Sequence, residues 1–276
     1  MSKLEEYGKH SFMNRVQSSN RCLVTGASSG IGAATAIELG RQGYKLCLVA
    51  RRKDRLEEVR LKALEAGSPE VEVLALDLLD EKSTPILNEQ AERTDVLINN
   101  AGIGTLAHAL DTPIETHLKT VTLNAVRVME HSHYFALKMR ERGYGLVINI
   151  SSLAAFQSIP YLASYSASKA FVVQWGESLD SELAGTGVRI VSFCPGGTWT
   201  EFMDTAGYSA AEVKKISRWM QSSEEVALEI VKCIKNPRAV VIPGATNQLT
   251  YALQKMLPRS WLTRSGKKIY SNLMRK

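Results

Sequence analysis

Ser152, Tyr165 and Lys169 combine side chains and a spacing that suit acid–base chemistry on a carbonyl group. Tyr165 opens the run Tyr165-Ser166-Ala167-Ser168-Lys169, and two residues four apart on a helix face the same way, about one turn apart. A free phenol has a pKa of about 10 and is a poor acid or base near neutrality. An ammonium beside it favours the phenolate and is expected to lower that value. A serine from the end of a neighbouring strand, thirteen residues before the tyrosine, would help to hold a carbonyl oxygen. Together they describe a metal-free proton donor aimed at a carbonyl.

Spacing alone does not select this pair. Tyr251 and Lys255 repeat it, with Arg238 rather than serine thirteen residues upstream, and Tyr161 has Tyr165 four residues on. An arbitrary pair of this kind is most often a tyrosine packed on a lysine stem, so the surrounding elements must decide.

Arg21-Cys22-Leu23-Val24-Thr25 is a short apolar run that predicts a buried strand. Gly26-Ala27-Ser28-Ser29-Gly30-Ile31-Gly32 follows, and Ala33 to Gln42 has helix-forming composition. Strand, glycine turn and helix form the context of a dinucleotide-binding loop. Gly26 permits the tight turn, Gly30 lets backbone approach a pyrophosphate, and Gly32 lets the helix pack on the strand. Ser28, Ser29 and Ile31 lie between them as further cofactor contacts, and the amides opening the helix attract phosphate.

The glycine spacing is GxxxGxG rather than GxGxxG. Combined with Asn99-Asn100-Ala101-Gly102 and with Ser152, Tyr165 and Lys169, it resembles the short-chain dehydrogenase/reductase family in its standard-length branch, in register from about Arg21 to Pro243. The resemblance implies hydride transfer between a nicotinamide cofactor and a carbonyl or alcohol carbon, with Tyr165 as general acid/base and Lys169 on the nicotinamide ribose. It places Asp77 and Leu78 against the adenine, and Asn99, Ala101 and Gly102 on the ribose and nicotinamide side. It gives Asn124 a water that returns protons from solvent. Cys194-Pro195-Gly196-Gly197-Thr198-Trp199-Thr200 resembles the family's PGxxxT segment, so Pro195, Gly196, Thr198 and Thr200 are expected at the cofactor. Trp199 would either floor the substrate pocket or pack inside the turn.

Arg51 and Arg52 follow the second apolar run, nineteen residues after Gly32, where NAD-binding folds place an acid on the ribose 2′-hydroxyl. Guanidinium groups there suit a 2′-phosphate, so NADP(H) is expected over NAD(H). Ser29 stands where many NADP-using relatives carry a second basic residue.

Apolar strands alternate with helical stretches along all 276 residues, 45% of them hydrophobic. The pattern predicts an α/β, Rossmann-type doubly wound parallel sheet of about seven strands with helices on both faces. The expected organisation is an N-terminal extension over 1–20, a catalytic domain over 21–245 with a substrate lid near 201–221, and a basic amphipathic helical extension over 246–276. No signal-type or membrane-spanning run is read, the four cysteines and five histidines show no metal-ligand spacing, and a cytoplasmic protein is expected. Helices near 113–140 and 165–184 resemble those that build the family's dimers and tetramers, so a homo-oligomer is expected.

The net charge of +6 is uneven, because no acidic residue follows Glu229 while ten basic ones do. Leu249, Leu253 and Met256 share one helix face, and Trp261, Leu262, Ile269, Tyr270, Leu273 and Met274 form a stripe on a second helix. This pattern fits peripheral contact with a membrane surface or with an acidic partner such as an acyl carrier protein. It equally fits a helix pair packed on the body or on a second subunit. No nucleic-acid motif accompanies the charge. Phe202, Met203, Tyr208, Trp219 and Met220 suggest an apolar substrate pocket, and the expected substrate is a hydrophobic ketone or aldehyde. The alternatives are an NADP-dependent alcohol dehydrogenase working in the oxidative direction and an NADP-sensing regulator without turnover.

Overall fold

The computed structural model describes residues 21–202, 206 and 220–273. The N-terminal extension and most of the expected lid, with Met203, Tyr208 and Trp219, lie outside the described residues. Seven strands, β1 (Arg21–Thr25), β2 (Lys45–Ala50), β3 (Val71–Ala75), β4 (Val96–Asn99), β5 (Gly145–Ile150), β6 (Val188–Phe193) and β7 (Val240–Val241), form one sheet. Every neighbouring pair is parallel, and the order is β3-β2-β1-β4-β5-β6-β7. The direction of winding reverses between β1 and β4, which opens a crevice at their carboxyl ends, where ligands bind in open α/β sheets.

The strand runs are apolar on both faces because both are covered. On one face Val24, Leu48, Ile98, Ile148 and Val191 pack with Leu39 of α1 (Gly30–Arg41), Leu56 of α2 (Lys53–Ala66) and further downstream residues. On the other, Leu23, Val49, Leu97, Val147 and Ile190 meet Leu87 of α3 (Ser83–Asn88) and later helices.

The helical stretch expected over about 113–140 is not uniform. It runs as α4 (Ile114–Val121), a π-helical turn over Thr122–Val126, and α5 (Arg127–Arg142). Phe135 and Met139 of α5 fill the second core. The long helix α6 (Ala163–Glu182) follows β5 and carries the Tyr165–Lys169 pair. Helix α7 (Ser223–Lys235) starts in a capping box, where Ser222 accepts from the Glu225 amide and Glu225 reaches back to the Ser222 amide.

Beyond β7 the chain forms α8 (Ala245–Met256) and α9 (Arg259–Leu273). Pro258 separates them, since the residue before a proline is driven to extended backbone, and Leu257 adopts φ −95° and ψ 145°. No helix among the described residues is long and apolar enough to cross a membrane.

Candidate active site

A cavity of about 590 Å³ opens at the carboxyl ends of the strands. Its near wall is the glycine turn between β1 and α1. Gly26 and Gly30 take left-handed backbone, φ 65° and 55°, which turns the chain sharply enough to present the first amides of α1 to the cavity. A Cβ at Gly32 would lie 2.4 Å from the Gly26 carbonyl oxygen, so the absence of a side chain there sets the approach of α1 to β1. A Cβ at Gly30 would lie 2.9 Å from Thr200 Cγ2, so the segment after Pro195 folds against this turn.

Arg52 lies across the turn. Its Nη2 donates to Ser28 Oγ at 3.2 Å and to Ser29 Oγ at 3.1 Å, and it pairs with Glu201 at 2.8 Å. Arg51 also lines the cavity, exposed and without a hydrogen bond among the described residues. Two guanidinium groups therefore flank the end of the cavity nearest the turn, one of them built into it.

Across the cavity, Ser152 leaves the end of β5 and caps a short 3₁₀ turn, its Oγ accepting from the Ala154 amide at 3.1 Å. The neighbouring Ser151 is committed elsewhere, donating to the Lys169 carbonyl at 2.8 Å. Ser152 instead lies beside the Tyr165 phenol and acts to lower its pKa. Lys169 is 4% exposed; its Nζ donates to the Ile150 carbonyl at 2.8 Å and lies 5.8 Å from the centre of the Tyr165 ring. The Tyr165 ring packs on Phe202 with centroids 5.3 Å apart.

Burial dominates the protonation of this pair. It pushes the Tyr165 phenol up to about 12, against Ser152, which pulls it down. It brings the Lys169 ammonium down to about 8. The expected lowering of the phenol by the Lys169 ammonium does not appear: desolvation favours the neutral form of both groups, and the lowering influence on the phenol comes from Ser152.

Asn124 sits in the π-helical turn. Its Oδ1 accepts from the Ile103 amide at 2.9 Å, and its Nδ2 donates to the Ile103 carbonyl at 2.8 Å and to Ser168 Oγ at 3.2 Å. The widened turn brings this amide to the loop after β4, and π-bulges recur at functional sites for that reason. A Cβ built on Gly102 would meet both Asn124 Oδ1, at 3.2 Å, and Lys169 Nζ, at 3.4 Å, so the two side chains converge.

Most of the residues singled out in the sequence line one cavity: Gly26, Ser28, Ser29, Gly30 and Ile31 of the turn, Arg51 and Arg52, Asp77 and Leu78, Ala101 and Gly102, Ser152, Tyr165 and Lys169, and Pro195, Gly196, Thr198 and Thr200. Gly32 and Asn124 stand just behind the wall. Asn99 departs from expectation. It is buried, and its amide donates to Asn149 Oδ1 at 2.9 Å and to Ser132 Oγ at 3.3 Å inside the core. Asn100 lines the cavity instead and ties the loop to β1, its Nδ2 donating to the Thr25 carbonyl at 3.0 Å. Trp199 does not floor the cavity; it is half exposed over a groove beside α1 and α2. The decoy pair behaves as ordinary packing, with Lys255 Nζ 4.4 Å from the centre of the Tyr251 ring and that ring stacked on Phe156. Sequence reasoning missed Glu201, Asn100, and the entry of Thr250, Gln254 and Tyr270 from α8 and α9 into the cavity wall.

Residues 20–209 match the family model for short chain dehydrogenases. A ketoacyl reductase of Nostoc sp. is 33% identical over 243 residues, covering 85% of this chain and 82% of that protein. Among solved structures, a short-chain dehydrogenase from Sphingobium yanoikuyae in complex with NADPH superposes with a TM-score of 0.76 at 27% identity, covering 86% of this chain and 94% of that one. A bulky-bulky ketone specific alcohol dehydrogenase from Comamonas testosteroni gives 0.72 at 26% identity, with 86% and 93% covered.

Proposed function

The chain belongs to the short-chain dehydrogenase/reductase family of oxidoreductases, and we propose that it is an NADP(H)-dependent carbonyl reductase acting on a hydrophobic ketone or aldehyde. The observation that carries the reading is the Tyr165 phenol, with Ser152 beside it and Lys169 Nζ 5.8 Å from its ring centre, in the same cavity as the glycine turn and two arginines. The relatives support it in kind: one is named a ketoacyl reductase, one solved neighbour holds NADPH, and another is named for ketones.

The residues present fit the cofactor. The glycine turn and first amides of α1 would hold the pyrophosphate, Arg51 and Arg52 the 2′-phosphate, and Lys169 the nicotinamide ribose. When bound, NADPH supplies the hydride, and the protein supplies orientation and protons. Ser152 holds the substrate oxygen. Tyr165 donates its phenolic proton to that oxygen as it gains charge. A phenol near 12 is protonated at neutral pH, the form that donates to the substrate oxygen during reduction. Asn124, fixed on both sides of Ile103, supports return of the proton from solvent.

Titration of the protein with NADPH and NADH, followed by an absorbance screen on ketones and aldehydes of graded chain length, tests this reading. NADPH is expected to bind at least about tenfold more tightly, since a charge-assisted pair to phosphate is among the stronger hydrogen bonds. Arg52→Ala is expected to erode that preference by roughly tenfold to a hundredfold while leaving NADH affinity nearly unchanged. Equal affinity for both cofactors, or tight binding with no turnover on any carbonyl, overturns it.

We infer also that α8 and α9 meet an anionic lipid surface. Leu249, Leu253, Met256, Trp261 and Ile269 are exposed, and Lys255, Arg259, Arg264, Lys267 and Lys268 are exposed beside them. The full chain is expected to sediment with phosphatidylserine vesicles and to be released by salt, and a chain cut near Leu257 to bind them much less. Equal partition by the two chains removes the idea.

A further inference from the structure

Helix α8 shows Leu249, Leu253 and Met256 to solvent and turns Asn247, Tyr251 and Gln254 toward the body of the protein, Tyr251 packing on Phe156. Two of its polar side chains are satisfied. Asn247 donates to Gln221 Oε1 at 2.8 Å and to the Pro243 carbonyl at 2.7 Å, and Thr250 donates to the Thr246 carbonyl at 2.9 Å. Gln254 is not. Its Oε1 is shut off from solvent without a hydrogen-bond partner among the described residues, and the side chain lines the catalytic cavity. A buried acceptor left without a donor is destabilising, so it persists where a ligand supplies the donor.

The surroundings define what that ligand is like. Tyr270 of α9 reaches the same cavity and packs with Leu106, Ile159, Leu162 and Tyr165, so the second helix closes an apolar wall beside the reacting phenol. This end of the cavity combines that apolar wall with the polar side chains of Gln157, Thr250 and Gln254.

We propose that Gln254 is a specificity-determining residue, its Oε1 accepting a hydrogen bond from a hydroxyl or amide N–H that the substrate carries away from its reacting carbonyl. The substrate class is then an apolar ketone or aldehyde bearing a remote hydrogen-bond donor, rather than a plain hydrocarbon carbonyl. The inference rests on the carbonyl-reductase reading and narrows its substrate.

The probes are a straight-chain methyl ketone of medium length and a series of its derivatives with one hydroxyl moved stepwise along the chain, assayed with saturating NADPH. For the wild-type protein, kcat/KM for at least one hydroxylated ketone is expected to exceed that of the parent by about tenfold. In Gln254→Leu the ratio of kcat/KM between the hydroxylated and parent ketones falls to about one, chiefly through KM, while NADPH binding stays near wild type. Gln254→Met replaces it if leucine impairs folding. An advantage retained in the variant, or no advantage at any hydroxyl position in the wild type, overturns the proposal and leaves the reductase reading standing. Absence of turnover on the parent ketones fails the reductase reading itself, and the proposal with it.

Discussion

Replacement of Tyr165 by phenylalanine is expected to lower kcat for carbonyl reduction by roughly two to four orders of magnitude, the range for loss of a positioned general acid. The change deletes one hydroxyl and little else. The ring keeps its packing on Phe202 and its place beside Leu106, Ile159 and Leu162. The glycine turn and Arg52 lie on other elements and are untouched, so NADPH titration should give nearly the wild-type affinity. The pH dependence adds a second reading of the same site. With the phenol up at about 12, its proton-donating form dominates throughout the neutral range, so a fall in wild-type reduction between about pH 7 and 9 should report loss of the Lys169 proton, brought down to about 8, and not of the phenol's. Oxidation of the matching alcohol needs the phenolate and should rise across that interval. Stopped-flow absorbance at saturating cofactor measures both. A phenylalanine variant retaining more than a few per cent of wild-type turnover would remove Tyr165 from the proton-transfer role.

The centre of the sheet was legible because its strands are short apolar runs whose two faces are both covered, and that demand is written directly into residues such as Leu46-Cys47-Leu48-Val49. The glycine turn and the Tyr165–Lys169 pair were legible because each depends on local spacing within one element. What escaped depends on how elements meet. Asn99 and Asn100 are adjacent, and which faces the cavity is decided by the pleat at the end of β4, where neighbours point to opposite faces. The π-helical turn around Asn124 is made of residues that would serve equally in an ordinary helix. Tyr251 and Lys255 match the Tyr165 spacing, both lysines lie over their tyrosine rings, and only tertiary position puts the one pair beside Phe156 and the other beside Ser152. Arg52 meets Glu201 across 149 positions of sequence, a separation over which no periodicity carries information.

The C-terminal helices show why an amphipathic pattern alone does not assign a face. Sequence reasoning opposed two uses for them, docking outward or packing inward. The structure brings Tyr270 and Gln254 into the cavity wall and leaves Leu249, Leu253 and Trp261 exposed. The face an amphipathic helix buries is ordinarily its apolar one. In α8 no residue is fully buried, and the half-buried side is mixed, with Asn247 and Gln254 beside Tyr251.

Gly32→Ala is expected to weaken NADPH binding by about tenfold to a hundredfold, the equivalent of the 1–3 kcal/mol that overpacking a tight contact costs. The new methyl group would lie 2.4 Å from the Gly26 carbonyl oxygen and 2.5 Å from Asn100 Nδ2. Neither neighbour yields easily. Gly26 is backbone held at φ 65°, and Asn100 Nδ2 donates to the carbonyls of Thr25 and Gly26 at 3.0 and 3.2 Å. The strain is relieved only if α1 withdraws from β1, and the amides that face the phosphates withdraw with it. Gly197→Ala is the matched control on the opposite wall. Its methyl group would meet Met220 Cγ at 3.4 Å, an ordinary contact with a flexible side chain, so affinity should stay within about threefold of wild type. Fluorescence titration with NADPH compares the two, and urea midpoints separate lost binding from lost folding. If Gly32→Ala bound NADPH as tightly as Gly197→Ala, the close packing of α1 on β1 would not be what positions the phosphate-binding amides.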